Sequence, residues 1–217
     1  MRKKPTRILI VDDHPIVRRG LADVISAEPD LTVCGEADEI AAAVQQMKAT
    51  HPDLVLIDIS LKSGSGIELI KQIRALGSDV KMLVLSVHDD ALYAERVLQA
   101  GGMGYLRKDE APERLIEAIR RVLGGKIYLS RPMVDRVLER AARGELPQAS
   151  RIESLTDREM EVFELMGNAL TAREIADRLC LSVKTIETYR EKMKFKLKAR
   201  NSTELTRLAV QWVLENT

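Results

Sequence analysis

Long apolar runs are missing from this chain of 217 residues, and no stretch approaches the roughly 18 apolar residues that a helical membrane span requires. The first residues, MRKKPTR, lead into a run that carries carboxylates rather than into an apolar core with a cleavage site. Neither a secretory signal nor a membrane partner is expected, and the protein is expected in the cytoplasm. Cysteine is scarce. Cys34 and Cys180 lie far apart, each inside an apolar pattern, which argues against a disulfide framework and reads as two buried, reduced thiols. Net charge is nearly absent too, at +1, but it is unevenly spread: residues 1–125 carry 17 basic and 19 acidic side chains, 126–152 carry 6 and 3, and 153–217 carry 11 and 11. Within the last segment, 184–200 holds seven Lys or Arg against two Glu, whereas 153–164 holds five acids against one Arg. Such polarity suggests a face that meets a polyanion. What remains is ordinary for a globular protein, with 45% hydrophobic and 31% charged residues, and the length suits two smaller domains.

Over the first 125 residues, five β-rich runs alternate with helical periods: RILIVDD (7–13), LTVCGEA (31–37), DLVLIDI (53–59), KMLVLSV (81–87) and GYLRK (104–108). Three are nearly continuous Val, Ile and Leu, as in parallel strands covered on both faces. Between them, segments such as GIELIKQIRAL place Ile67, Ile70 and Ile73 on one stripe. Strand and helix repeated five times predict a doubly wound α/β domain, with Pro15 in a first helical turn and Gly101–Gly102 and Gly124–Gly125 closing the fourth and fifth helices. From 126 to 152 a short helical piece precedes RGELPQAS, a linker composition. Beyond it the pattern is all helical. TDRE (156–159) and TARE (171–174) match the capping box, Ser182 opens a third helix and NSTE (201–204) a fourth, giving a small bundle that contains a helix-turn-helix.

In an open parallel sheet, functional groups gather beyond the carboxyl ends of the strands. Asp12 and Asp13 end the first run, Asp58 the third, Ser86 the fourth and Lys108 the fifth, so all five are expected at one edge. Three carboxylates brought together repel unless a hard cation neutralises them, and oxygen ligands in a roomy site suit Mg²⁺. The cation, the Ser86 hydroxyl and the Lys108 ammonium would together neutralise a phosphoryl group, which Asp58 can attack as a carboxylate nucleophile. An isolated DD is usually a solvated turn or helix cap, and a single strand-end Ser or Lys is usually surface; it is the convergence of five such groups that points to chemistry. His14 reads as the residue that starts the first helix rather than as a ligand or base.

The constellation VDDH, LIDIS, the Ser86 strand end and GYLRKDE, with Tyr105 three residues before Lys108, resembles the receiver domain of two-component response regulators over about 5–125. The resemblance implies a flavodoxin-like (βα)5 fold with Asp58 as phosphoacceptor. It also implies Mg²⁺ held by Asp13 and Asp58, by Asp12 through water and by the carbonyl of Ser60. Ser86 and Tyr105 become a switch pair and Lys108 the partner of the phosphoryl oxygens; Tyr105 also fits a plain core aromatic. Ser60 and His88, two residues beyond Asp58 and Ser86, are expected beside the path of an attacking water. Many receivers carry Met-Pro-Gly after the phosphoacceptor strand and Pro after the lysine; here the stretches read SLKSGSG and KDE, although Gly66, eight residues past Asp58, keeps the tight start of the third helix.

In the third C-terminal helix, 183–198, Ile186, Tyr189, Met193 and Leu197 follow helical spacing and are expected in the core. The opposite face presents Lys184, Thr185, Glu187, Thr188, Glu191, Lys192 and Lys194. Its N-terminal turn suits the major groove, with Glu187 and Thr188 placed for base edges and Lys192, Lys194, Lys196 and Lys198 for phosphates. LTDREMEV, EIADRL and SVKTIETYREKMKFKL resemble the LuxR-type helix-turn-helix of the NarL/FixJ response regulators, over about 153–217. That resemblance implies an all-α four-helix DNA-binding domain and a homodimer on double-stranded DNA. In the last helix, whatever part of the stripe Leu205, Leu208, Ala209 and Trp212 the bundle leaves exposed would form the dimer face. Together the two resemblances imply a transcriptional regulator, not an enzyme, phosphorylated at Asp58 by a sensor histidine kinase. Two rivals stay open. One is an orphan regulator whose DNA binding ignores phosphate. The other is a Mg²⁺-dependent phosphatase of the haloacid-dehalogenase type, a class that wants D-x-D on one strand where this chain has adjacent aspartates.

Overall fold

The computed structural model describes residues 4–61, 64–86, 91–110, 112–142 and 151–216; His88 and the RGELPQAS stretch lie outside them. The chain forms two compact units, Met1–Leu138 and Glu139–Thr217.

In the first unit the apolar runs become strands β1 (Thr6–Val11), β2 (Leu31–Ala37) and β3 (Leu54–Asp58), with helices α1 (Pro15–Ser26) and α2 (Ile40–Thr50) between them. A two-residue pair, β4 (Ser60–Leu61) and β5 (Gly64–Ser65), leads into α3 (Gly66–Ala75). There follow β6 (Lys81–Ser86), α4 (Ala91–Ala100), β7 (Gly104–Arg107) and α5 (Pro112–Leu123), after which comes α6 (Arg131–Ala142). The main sheet is parallel throughout, in the order β2-β1-β3-β6-β7. Alternation along the strands explains why these runs are apolar without break. Ile8, Ile10, Leu54, Leu56, Leu83 and Leu85 pack in one cluster with Ile25, Leu115, Ile119 and Val122 of α1 and α5. The intervening Leu9, Val11, Val55, Ile57, Met82 and Val84 are buried as well, on the opposite face. Each fully buried side chain of this kind contributes about 1.5–3 kcal/mol, so covering both faces is what holds the sheet.

Residues just past α5 protect the edge strand β7. The Tyr128 carbonyl accepts from Tyr105 N at 3.0 Å, and Tyr128 N donates to the Met103 carbonyl at 3.0 Å. One backbone ladder of β7 is thereby satisfied where an open edge would invite another chain.

The second unit holds a 3₁₀ turn (Arg151–Ser154), then α7 (Asp157–Gly167), α8 (Ala172–Arg178), α9 (Val183–Leu197) and α10 (Ser202–Asn216). Both capping boxes form: Thr156 Oγ1 accepts from Glu159 N at 3.3 Å while Glu159 Oε2 accepts from Thr156 N at 2.7 Å, and Thr171 and Glu174 repeat the exchange. Ser182 Oγ accepts from Thr185 N at 3.0 Å, and Asn201 Oδ1 from Glu204 N at 2.9 Å. Helices α7 and α10 approach closely at Gly167, where a Cβ would stand 2.5 Å from the Ala209 carbonyl.

Three expectations are corrected here. Leu205 is fully buried and Trp212 is 8% exposed, its ring against Phe163 at 6.2 Å, so both belong to the bundle and are not available to a dimer face; Leu208 is half-buried. Tyr189 is half-buried rather than in the core, because its ring sits at the flank of α9 under Lys192 Nζ, 5.9 Å away. Cys180 is exposed: the chain turns there with φ +53° after Leu179 has filled the core, while Cys34 is half-buried, and both thiols are free.

Candidate functional site

The order of the strands reverses between β1 and β3, and register sets the groups that end them side by side. Val11 pairs with Ile57, so Asp12 and Asp58 stand level one residue further on; Asp58 pairs with Leu85, ahead of Ser86, and Ser86 pairs with Arg107, ahead of Lys108. Asp12, Asp13, Asp58 and Ser86 are all buried. Lys108 Nζ lies 2.7 Å from Asp12 Oδ2 and 2.7 Å from Asp58 Oδ2, one ammonium shared by two carboxylates. The remaining oxygens are only partly served. Asp12 Oδ1 accepts from His14 N at 2.8 Å, and Asp58 Oδ1 from Ser60 N at 3.3 Å. Asp13 Oδ1 is buried and accepts no hydrogen bond among the described residues, although His14 Nδ1 lies 2.8 Å from it.

Electrostatics follow from this crowding. Burial pushes the Asp58 carboxyl up to about 6, with Lys108 pulling it down and Asp12 pushing it further up. Burial works against the Lys108 charge, yet Asp58 and its hydrogen bonds to both carboxylates hold its pKa above the ordinary lysine value. A single lysine therefore leaves the pocket short of positive charge.

One ligand atom from each of Asp12, Asp13, His14 and Asp58 lies within 4.8 Å of the others. Three carboxylates with an unsatisfied buried oxygen fit a hard divalent cation that keeps several waters. Ser60 lies in β4, two residues past Asp58, half-buried. Tyr105 lies in β7 with its side chain buried, held at the backbone by Tyr128.

Two features escaped sequence reasoning. Arg18, one turn into α1, donates from Nη1 to the Asp12 carbonyl at 2.6 Å and from Nε to Glu36 Oε2 at 3.2 Å, fixing the peptide that carries the aspartate pair. Its spacing from His14, whose carbonyl accepts from Arg18 N, was the available signal. The other is Gly66, whose hypothetical Cβ would lie 2.3 Å from the Asp58 carbonyl oxygen; the sequence marked the glycine as a tight turn but not as the residue seated against Asp58.

In the second unit, α9 turns Ile186, Met193 and Leu197 inward. Lys184, Glu187, Thr188, Glu191 and Lys192 are exposed, Thr185 and Lys194 half-buried. Several are already engaged: Thr185 in the Ser182 cap, Thr188 Oγ1 with the Lys184 carbonyl at 2.9 Å, Glu187 with Arg190 at 2.9 Å and Glu191 with Lys194 at 2.7 Å. Lys196, expected at phosphates, reaches Glu159 Oε2 at 2.6 Å and the Ser154 carbonyl at 3.1 Å, tying α9 to the first capping box. Among the described residues, no helix is long and apolar enough to cross a membrane.

Comparison with known proteins places both units. Residues 8–120 match the response regulator receiver domain, and residues 153–209 match the bacterial regulatory proteins of the luxR family. The chain is 34% identical over 204 residues to the transcriptional activator protein ExaE of Pseudomonas putida, covering 94% of this chain and 95% of that protein. It is 33% identical to the response regulator UvrY of Escherichia coli K12, covering 96% and 95%. Among solved structures, RcsB of Salmonella enterica serovar Typhimurium, bound to the promoter rprA with the phosphomimetic BeF3-, aligns with a TM-score of 0.61 at 26% identity, over 94% of this chain and 98% of that one. With an N-terminal receiver unit and a C-terminal LuxR-type helix-turn-helix unit, the chain belongs to the NarL/FixJ-type two-component response regulators that control transcription.

Proposed function

We propose that the protein takes a phosphoryl group from a sensor histidine kinase onto Asp58 and uses it to control binding of double-stranded DNA by α9. In this reading 5–125 is the phosphoacceptor domain, 126–152 a linker with a short helix, and 153–217 the DNA-binding domain. The observation that carries it is the shared Lys108 ammonium between Asp12 and Asp58, beside a buried Asp13 oxygen that accepts no hydrogen bond among the described residues. Asp12, Asp13, Asp58 and the Ser60 carbonyl would hold Mg²⁺, which supplies charge neutralisation to phosphoryl oxygens when bound. An Asp58 oxygen forms a bond to phosphorus as the P–N bond of a phosphohistidine breaks, and the imidazole nitrogen leaves with the electron pair. Lys108 exchanges its Asp58 contact for a phosphoryl oxygen, and Ser86 donates to another.

Phosphorylation adds charge in the first unit only, so it acts through a two-state element; Ser86, at the end of β6, and Tyr105, within the neighbouring strand β7, are that element. Lys184, Thr185, Glu187, Thr188, Glu191, Lys192 and Lys194 form the DNA face, working as a homodimer in the cytoplasm. The test is full-length protein with Mg²⁺ and acetyl phosphate, followed by intact mass and DNA binding. Wild type gains one phosphoryl group and shifts its DNA affinity, and Asp58→Asn does neither. Label on another residue, or equal DNA affinity in both proteins under phosphodonor, overturns the proposal; the second outcome favours the orphan regulator.

A further inference from the structure

Phe195 is 87% exposed, an aromatic ring held in water on the helix that faces DNA. Single exposed apolar side chains are ordinary on protein surfaces, so exposure alone decides nothing. Position does. Seven residues separate Phe195 from Thr188, a turn of about 700°, which returns it to within about 20° of the same line along the helix and about 10 Å further on. The buried residues Ile186, Met193 and Leu197 define the inward side, and Phe195 lies opposite them, in the row that begins Lys184 and Thr188.

Its surroundings limit what can cover it. Glu191, Lys192 and Lys198, each within one turn, are exposed and charged. A dry protein surface laid over Phe195 would strip water from all three, at a cost that one ring cannot offset. The partner that suits the row presents anions around isolated methyl groups, and the major groove of B-DNA does so, with a C5-methyl on every thymine.

We infer that Phe195 is a base-reading residue whose ring contacts a thymine methyl two helical turns beyond Thr188, so that each half-site requires T at one position. The inference rests on the DNA-binding reading of α9 and adds a specificity determinant to it.

The test uses full-length protein activated with Mg²⁺ and beryllofluoride and a duplex that the wild type selects from a randomised library. Each thymine is then replaced singly by uracil, which removes only the methyl group. One position per half-site is expected to weaken wild-type binding about fourfold, the worth of one buried methyl. Phe195→Ala is expected to weaken binding to the parent duplex roughly tenfold and to bind thymine and uracil probes equally. Because the contact releases no counterion, the salt dependence of Phe195→Ala matches wild type, whereas Lys192→Ala loses about one unit of slope. A matched thermal melt separates lost contact from lost fold. If no probe is uracil-sensitive, or if Phe195→Ala still discriminates, the inference is overturned while DNA binding stands; if the wild type selects no duplex, the DNA-binding reading itself falls.

Discussion

Adding one methyl group at Gly66 tests whether the start of α3 positions Asp58, the proposed phosphoacceptor. In Gly66→Ala the new Cβ would lie 2.3 Å from the Asp58 carbonyl oxygen, 2.9 Å from Ile57 Cγ2 and 3.0 Å from Ile59 Cα. Carbon and carbonyl oxygen rest about 3.3 Å apart or more, so something must move by on the order of 1 Å. No flexible side-chain tip is available to give way, since the nearest atom is backbone and both isoleucines are fully buried. The cost is that of overpacking at its upper end, about 3 kcal/mol, or a fall of roughly 10 °C in the melting temperature of this unit. The displaced peptide carries Asp58, the proposed phosphoacceptor, and for a reacting carboxylate a misplacement of about 1 Å costs on the order of a hundredfold in rate. Differential scanning calorimetry and stopped-flow phosphorylation with acetyl phosphate read the two effects. Gly20→Ala is the control: within α1 its Cβ meets nothing within 4 Å, so the same methyl gains about 1 kcal/mol of helix propensity. Wild-type melting and wild-type phosphorylation in Gly66→Ala would refute the reasoning.

Asp13→Asn removes a negative charge beside Asp12 and Asp58 where a buried carboxylate oxygen accepts no hydrogen bond among the described residues; metal-free urea unfolding is expected to show a gain of about 1–2 kcal/mol, while stabilisation by added Mg²⁺ disappears. Burial opposes the Glu159 charge, but Lys196 and Thr156 hold its carboxyl below the ordinary glutamate value. Its contribution to stability is therefore complete above the unfolded value of about 4.3 and is lost as pH falls from there through the lower folded value. Glu159→Gln should flatten that acid limb in circular dichroism melts of the second unit. Lys196→Met should cost about 2 kcal/mol, less than a fully buried pair because the ammonium is partly exposed, and should leave the salt slope of DNA binding unchanged, since that ammonium is already committed to Glu159.

Much of this was legible in one dimension. Runs such as ILIV and LVLI, repeated between helical periods, fit strands buried on both faces, and a parallel sheet delivers whatever ends those strands to one edge; hence Asp12, Asp13, Asp58, Ser86 and Lys108 could be grouped from their places in the chain. The threonines and glutamates of TDRE and TARE act within one turn of helix, so local sequence was sufficient for both caps.

Periodicity reports that a side chain is apolar or charged; which neighbour receives it depends on residues far away in sequence. Leu205 and Trp212 were expected to offer part of a dimer stripe until the bundle was seen to bury them, Lys196 showed only as one of several basic residues on α9 until Glu159 met it, and Cys180 looked buried until the turn faced it outward. Arg18 on the Asp12 carbonyl and Gly66 under the Asp58 carbonyl belong to the same class. By itself the sequence determined the two folds and which strand-end groups meet at one edge of the sheet, because backbone pattern and strand ends are local properties. Tertiary structure alone decided which charges are already paired and which faces stay open, because those depend on distances between elements that no spacing along the chain encodes.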